Sequence, residues 1–158
     1  MIYLVIFTFI GFITGFIISS KYKYRYEIYK KTRCFFEFYK LKISYSQIKI
    51  IDIVDEFFSS KEQNIKNSLI NYYTSKKAND GLIIDSFKNL YESDYKDIIS
   101  KFSSLGKFGR DEEIEHTNNL IQAVKVKEEE YLLSYKKNSK LYIQLCTLIG
   151  LIIGILLL

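Results

Sequence analysis

The two ends of the chain carry no charge. Residues 1 to 20 read MIYLVIFTFIGFITGFIISS and residues 141 to 158 read LYIQLCTLIGLIIGILLL, and every Asp, Glu, Lys, Arg and His lies between Lys21 and Lys140. An apolar run of about 18 residues or more is long enough to cross a bilayer as a helix. Neither run has the polar face that an amphipathic helix of a soluble protein needs. These runs predict two membrane-spanning helices, over 1–20 and 141–158, around a polar region of residues 21 to 140 the size of one small domain. A chain that is 48% hydrophobic and 26% charged reconciles the two figures by segregation along its length.

A cleaved signal peptide would need a basic start, a shorter apolar core and a small-residue cleavage site. MIYL, a run of about 20 residues and FIISSK fit that pattern poorly, so residues 1–20 read as a retained span. The flanks set the orientation. KYKYRYEIYKKTR follows the first span, and Lys136, Lys137 and Lys140 precede the second. Basic flanks stay in the cytoplasm, and both bound the same central region. The expected topology is multi-pass, with residues 21–140 cytoplasmic and both termini outside. Tyr22, Tyr24, Tyr26 and Tyr29 interleave with the basic residues. Beside a span that pattern reads as an interfacial belt pairing with the lipid bilayer, in preference to a single-stranded nucleic-acid site.

The central region reads as helical throughout. The chain has no proline, so nothing forces a kink. The first helix should continue from its span to about residue 44, with Ile28, Phe35, Phe38 and Leu41 as its apolar stripe. A second should run from about 46 to 58 with Ile50, Ile51, Val54, Phe57 and Phe58 inward. Ser59 or Ser60 with Glu62 would start a third, to about 73, burying Ile65, Leu69 and Tyr72. TSKKANDG, closed by Asp80-Gly81, is a loop signature. Further helices are expected over 82–91 and 94–105. LGKFGRD then marks a stop and a start. From Asp111 a last helix enters the second span and reaches about 70 Å if unbroken. Ile114, Ile121, Val124, Tyr131 and Tyr135 give it a seam near heptad spacing, interrupted by Thr117 and Glu128. The fold class is all-α: the N- and C-terminal spans continue into an antiparallel helical stalk with a small cytoplasmic bundle.

The chemistry is sparse. His116 is the sole histidine. With Glu112 or Glu113 it would make one edge of a metal site, and no second histidine or cysteine completes it. GKFGR lacks the spacing and ending of a phosphate loop, and no nucleophile has a histidine at a recognisable spacing. Asp52, Asp55 and Glu56 read as a solvated helix face. Cys34 and Cys146 lie in different environments and are not expected to pair. No catalytic residue, metal or cofactor is expected. Asp111, Glu112, Glu113 and Glu115 crowd the start of the last helix, where the dipole favours negative charge. They are also candidates to dock a basic partner. Gly11 and Gly15 in the first span, with Gly150 and Gly154 in the second, are spaced to pack the spans closely.

Leu105-Gly106, an acidic turn, a long charged helix and a lysine-flanked run through Lys140, Leu145, Gly150 and Leu151 resemble the stage III sporulation protein AB family. Upstream, KISYSQIKI is similar to that family's Glu-Ile-x-Tyr-x-x-Thr-Pro-Leu stretch through Ile43, Tyr45 and Ile50. Departures are Ile48-Lys49 for Thr-Pro, Glu113 where Gln is usual, Gly109 for Asp and Cys146 for the first glycine of the last span. The resemblance implies a non-enzymatic membrane platform in a secretion-like channel between mother cell and forespore, in the mother-cell membrane. It implies as partners the secretion-type cytoplasmic ATPase of the stage III sporulation operon and the other membrane components of that channel. Self-association into a homo-oligomer is a further expectation. The alternative is a passive membrane-anchored coiled-coil tether with no ATPase.

Overall fold

A computed structural model describes residues 2–46, 48–58, 63–75 and 92–157. Among the described residues there are five helices: α1 (Ile2–Tyr45), α2 (Ile50–Phe57), α3 (Gln63–Ser75), α4 (Glu92–Ser103) and α5 (Arg110–Leu156). There is no strand among the described residues, so the protein is all-α. The expected cap at Ser59, Ser60 and Glu62, the Asp80-Gly81 turn and the helix over 82–91 lie outside the described residues. The chain divides into two compact units, Met1–Lys30 with Lys125–Leu158, and Lys31–Val124.

In the first unit α1 and α5 run antiparallel. Gly11 and Gly15 lie against the backbone of Cys146 and Ile143, and Gly150 and Gly154 against that of Phe7 and Leu4. A Cβ on Gly11 would sit 2.3 Å from the Cys146 carbonyl oxygen, so the approach requires the missing side chain. Thr8, Thr14 and Thr147 donate their hydroxyls to the carbonyls of Leu4, Ile10 and Ile143 on their own helices (2.7, 2.9 and 2.7 Å). No hydroxyl of theirs is therefore stranded in apolar surroundings. Beyond the glycines come polar rungs. Ser19 and Ser139 share a hydrogen bond, Tyr22 stacks on Tyr142 with ring centroids 5.6 Å apart, and Arg25 donates to the Tyr131 hydroxyl at 2.9 Å. These rungs are why the compact unit extends past Lys21 and Lys140.

Both helices are long and apolar enough to cross a membrane, and only 11% of each apolar window is buried. Ile2, Val5, Phe9, Phe16, Ile152 and Leu156 are among the side chains left exposed. A core helix of a soluble protein would hide such residues, so the chain is suited to association with a membrane.

The second unit has an aromatic core. Phe35, wholly buried, meets Phe58, Phe57 and Phe102 with ring centroids 5.7, 5.3 and 5.1 Å away. Phe36, Ile53, Val54, Leu69 and Ile98 are equally enclosed. The stripe on α1 is offset from the expected one. Thr32, Phe36 and Tyr39 are buried beside Phe35, whereas Phe38 is half-buried and Leu41 exposed; Ile28, expected in the stripe, is buried in the first unit. On α2, Ile53 and Val54 are buried while Ile50, Ile51 and Phe57 are half-buried.

The break after α1 falls where expected, but Ser46 belongs to the helix that ends there. Its N–H and its hydroxyl both reach the Lys42 carbonyl, at 3.0 and 3.1 Å. Lys49 then precedes α2 at φ −69° and ψ 142°. That backbone is one proline also adopts, so Lys49 holds the position with the proline absent. Lys42–Glu56 (2.6 Å) and Lys66–Asp55 (2.7 Å) tie α1 to α2 and α2 to α3.

Candidate partner-docking surface

The turn from α4 into α5 builds the most distinctive site. α4 ends as the N–H groups of Ser104 and Leu105 reach back to Lys101 and Phe102 (3.3 and 3.2 Å). Leu105 plugs the core at 4% exposure. Gly106 follows at φ +73°, the left-handed region that L side chains avoid. The Leu-Gly pair thus has two duties, a plug and a reversal. α5 begins when the Glu113 N–H bonds the Gly109 carbonyl at 2.7 Å.

Glu113 is not part of an exposed acidic face. It is 4% exposed. Its carboxylate accepts the Gly106 N–H at 2.7 Å, the Phe108 N–H at 3.2 Å and the Tyr39 hydroxyl at 3.1 Å. The acidic side chain reaches back over the turn and pairs backbone donors that the turn would otherwise strand, the logic of a capping box carried one position further along. Burial, with Glu113 close by, holds the Tyr39 phenol well above its ordinary value. Burial does the same to Tyr73, whose hydroxyl donates to the Phe102 carbonyl at 2.7 Å. Thr117, fully buried, bonds the Glu113 carbonyl at 2.7 Å. Glu128, the other polar residue among the seam positions, is also buried.

Asp111, Glu112 and Glu115 are exposed. Glu112 and Glu115 line a shallow groove of about 280 Å3 with Phe108, His116 and Asn119. Phe108 is half exposed. His116 is fixed there by Ser104, Nε2 to Oγ at 2.8 Å, with its ring 4.9 Å from that of Phe108. Among the described residues no three metal-ligating side chains converge. The groove offers carboxylates around an aromatic floor, which suits a basic side chain whose aliphatic stem packs on a ring. Sequence reasoning missed Phe108. Its signal was an aromatic between Gly106 and Gly109, where nothing local could bury it.

The family-motif residues are scattered. Leu105 and Gly106 make the turn, Ile43 is half-buried near the end of α1, and Tyr45 is 83% exposed. Lys140 is exposed on α5, and Gly150 sits at the α1–α5 contact. A family model described as stage III sporulation protein AB matches residues 1–158. No curated protein and no solved structure matches the chain.

Proposed function

This chain belongs to the stage III sporulation protein AB family, and from that premise we propose that it is a non-enzymatic membrane platform in a secretion-like sporulation channel. Its two apolar helices anchor it, residues 21–140 lie in the cytoplasm, and the groove at the start of α5 docks the secretion-type ATPase. The observation that carries the reading is the split among the acids. Glu112 and Glu115 stay exposed beside Phe108, with Asp111 exposed on the same first turns, while Glu113 is used to hold the turn that presents them. Exposed like charge beside an aromatic supports steering and seating of a basic partner.

The test is co-purification of the secretion-type ATPase of the stage III sporulation operon with the detergent-solubilised full chain. Wild type should retain the ATPase at moderate salt, and D111K/E112K/E115K should lose it. Equal retention by both would remove the docking face. No retention by wild type would leave the passive tether. Orientation is checked by placing a cysteine at exposed Lys107, with both native cysteines replaced by serine. An impermeant thiol reagent should label it only after lysis.

A further inference from the structure

We propose that the first unit binds anionic phospholipid headgroups through a collar built by both helices, Lys21 and Lys23 on α1 with Lys136, Lys137 and Lys140 on α5. The inference rests on the spanning reading above and adds a ligand to it. Ser19 faces Ser139 and Arg25 faces Tyr131. In antiparallel helices, residues 18 to 24 therefore lie opposite the stretch from 132 to 140, and lysines far apart in sequence share one level. All five are exposed. No Asp or Glu occurs in residues 1 to 26 or 131 to 158, so nothing on either helix neutralises the collar at that level. Glu27 and Glu130 border the collar: Glu27 reaches Lys23 at 3.6 Å with both side chains more than half exposed, a contact of small worth, and Glu130 pairs with Lys127 at 3.0 Å.

Arg25 is excluded. Its guanidinium lies 4.3 Å from the centre of the Tyr131 ring and donates to that residue's hydroxyl. The Tyr22–Tyr142 stack sits at the same level, where amphipathic rings settle at a bilayer surface. Just beyond, Ile17 and Leu141 open the exposed apolar belt. A ring of ammonium groups bordering an apolar belt complements a phosphodiester sheet over hydrocarbon, with lysine stems spanning the two.

The test uses the full chain reconstituted in vesicles of equal phosphatidylcholine and phosphatidylglycerol, with trace spin-labelled forms of each. The protein-restricted fraction of each label is read by electron spin resonance. Wild type should hold the anionic label several-fold more strongly. The preference should vanish in K21Q/K23Q/K136Q/K137Q/K140Q, survive when the same positions become Arg, and weaken with salt. Equal restriction of the two lipids by wild type overturns the collar, and so does an unchanged preference in the Gln variant. Binding of a labelled single-stranded oligonucleotide without lipid preference would overturn it in favour of nucleic acid. Extraction of the chain by alkaline carbonate would overturn the spanning reading, and the collar with it. Retention without lipid preference overturns the collar alone.

Discussion

At the α1–α5 contact the backbones meet at residues without side chains, Gly11 against Cys146 and Gly150 against Phe7. Between residues 31 and 124 the order is reversed. Large aromatic side chains, Phe35, Phe36 and Phe102, fill the middle and touch ring to ring. The difference follows from the solvent each unit is suited to. In hydrocarbon, burying a leucine gains nothing over leaving it in lipid, so helices associate by close backbone contact and a few polar rungs. In water, removing aromatic surface from solvent is the main source of stability. One chain thus uses both strategies, with glycine where contact must be close and phenylalanine where area must be hidden.

The sharpest way to break that comparison is Phe35→Ala. A fully buried phenylalanine removed from a packed core costs about 3–5 kcal/mol, a large share of the roughly 5–15 kcal/mol that holds a domain folded. Hydrogen exchange of the full chain in detergent should show lost protection across residues 31–75 and 92–124, with residues 2–20 and 141–157 unchanged. Loss in both would mean that the units do not stabilise themselves separately.

Glu113→Leu comes next. It removes the acceptor shared by the Gly106 and Phe108 N–H groups and the Tyr39 hydroxyl. The Tyr39 hydroxyl is buried, and a buried donor left unpaired costs about 1–3 kcal/mol; the two turn N–H groups are part-buried and add less. Denaturant unfolding should show the loss, with faster exchange at residues 104–109. Glu113→Gln keeps a carbonyl oxygen to accept from the turn and should cost clearly less. If Leu and Gln are equally harmless, the carboxylate does not hold the turn.

Gly11→Val tests the other unit. The new Cβ falls 2.3 Å from the Cys146 carbonyl oxygen, and overpacking of this kind costs about 1–3 kcal/mol. With both native cysteines replaced by serine, S19C and S139C should crosslink readily, because those hydroxyls touch. Adding Gly11→Val should reduce the yield, read after proteolysis between the two cysteines. An unchanged yield would mean that the polar rungs alone hold the pair.

Much of this was legible because it depended on chemistry that repeats along the chain. Uncharged runs of span length and helical periodicity are one-dimensional signals. The rotation of each helix was not. Phe35, Phe36 and Tyr39 are buried while Phe38 is only half-buried, and only packing against α2, α4 and α5 makes that choice. Polar residues misled for the same reason. Thr117 and Glu113 looked like an interruption and a surface charge, but their polar atoms find partners within the turn and the helix itself. Ser46 looked like the start of a helix and closes the preceding one. These outcomes depend on hydrogen bonds between neighbours that residue type alone does not specify.

The smallest expected effect separates glycine's two uses most cleanly. Gly109 precedes Arg110 at the start of α5 and has open space where a Cβ would stand, with nothing within 4 Å. Unlike Gly11, it is not there for closeness, and unlike Gly106 its φ is not in the left-handed region. A side chain should therefore be gained at no steric cost. Asp or Ser at the cap of a helix accepts the free N–H groups of its first turn, with a gain over glycine of a few tenths of a kcal/mol. Added stiffness in the unfolded chain contributes in the same direction. Asp111 and Glu112 follow immediately, so an aspartate also meets repulsion that a serine avoids. Thermal unfolding should place Gly109→Ser slightly above Gly109→Asp, and both above wild type by about 1–2 °C. A fall in either would show that glycine at 109 serves the turn in a way that open space around it does not reveal.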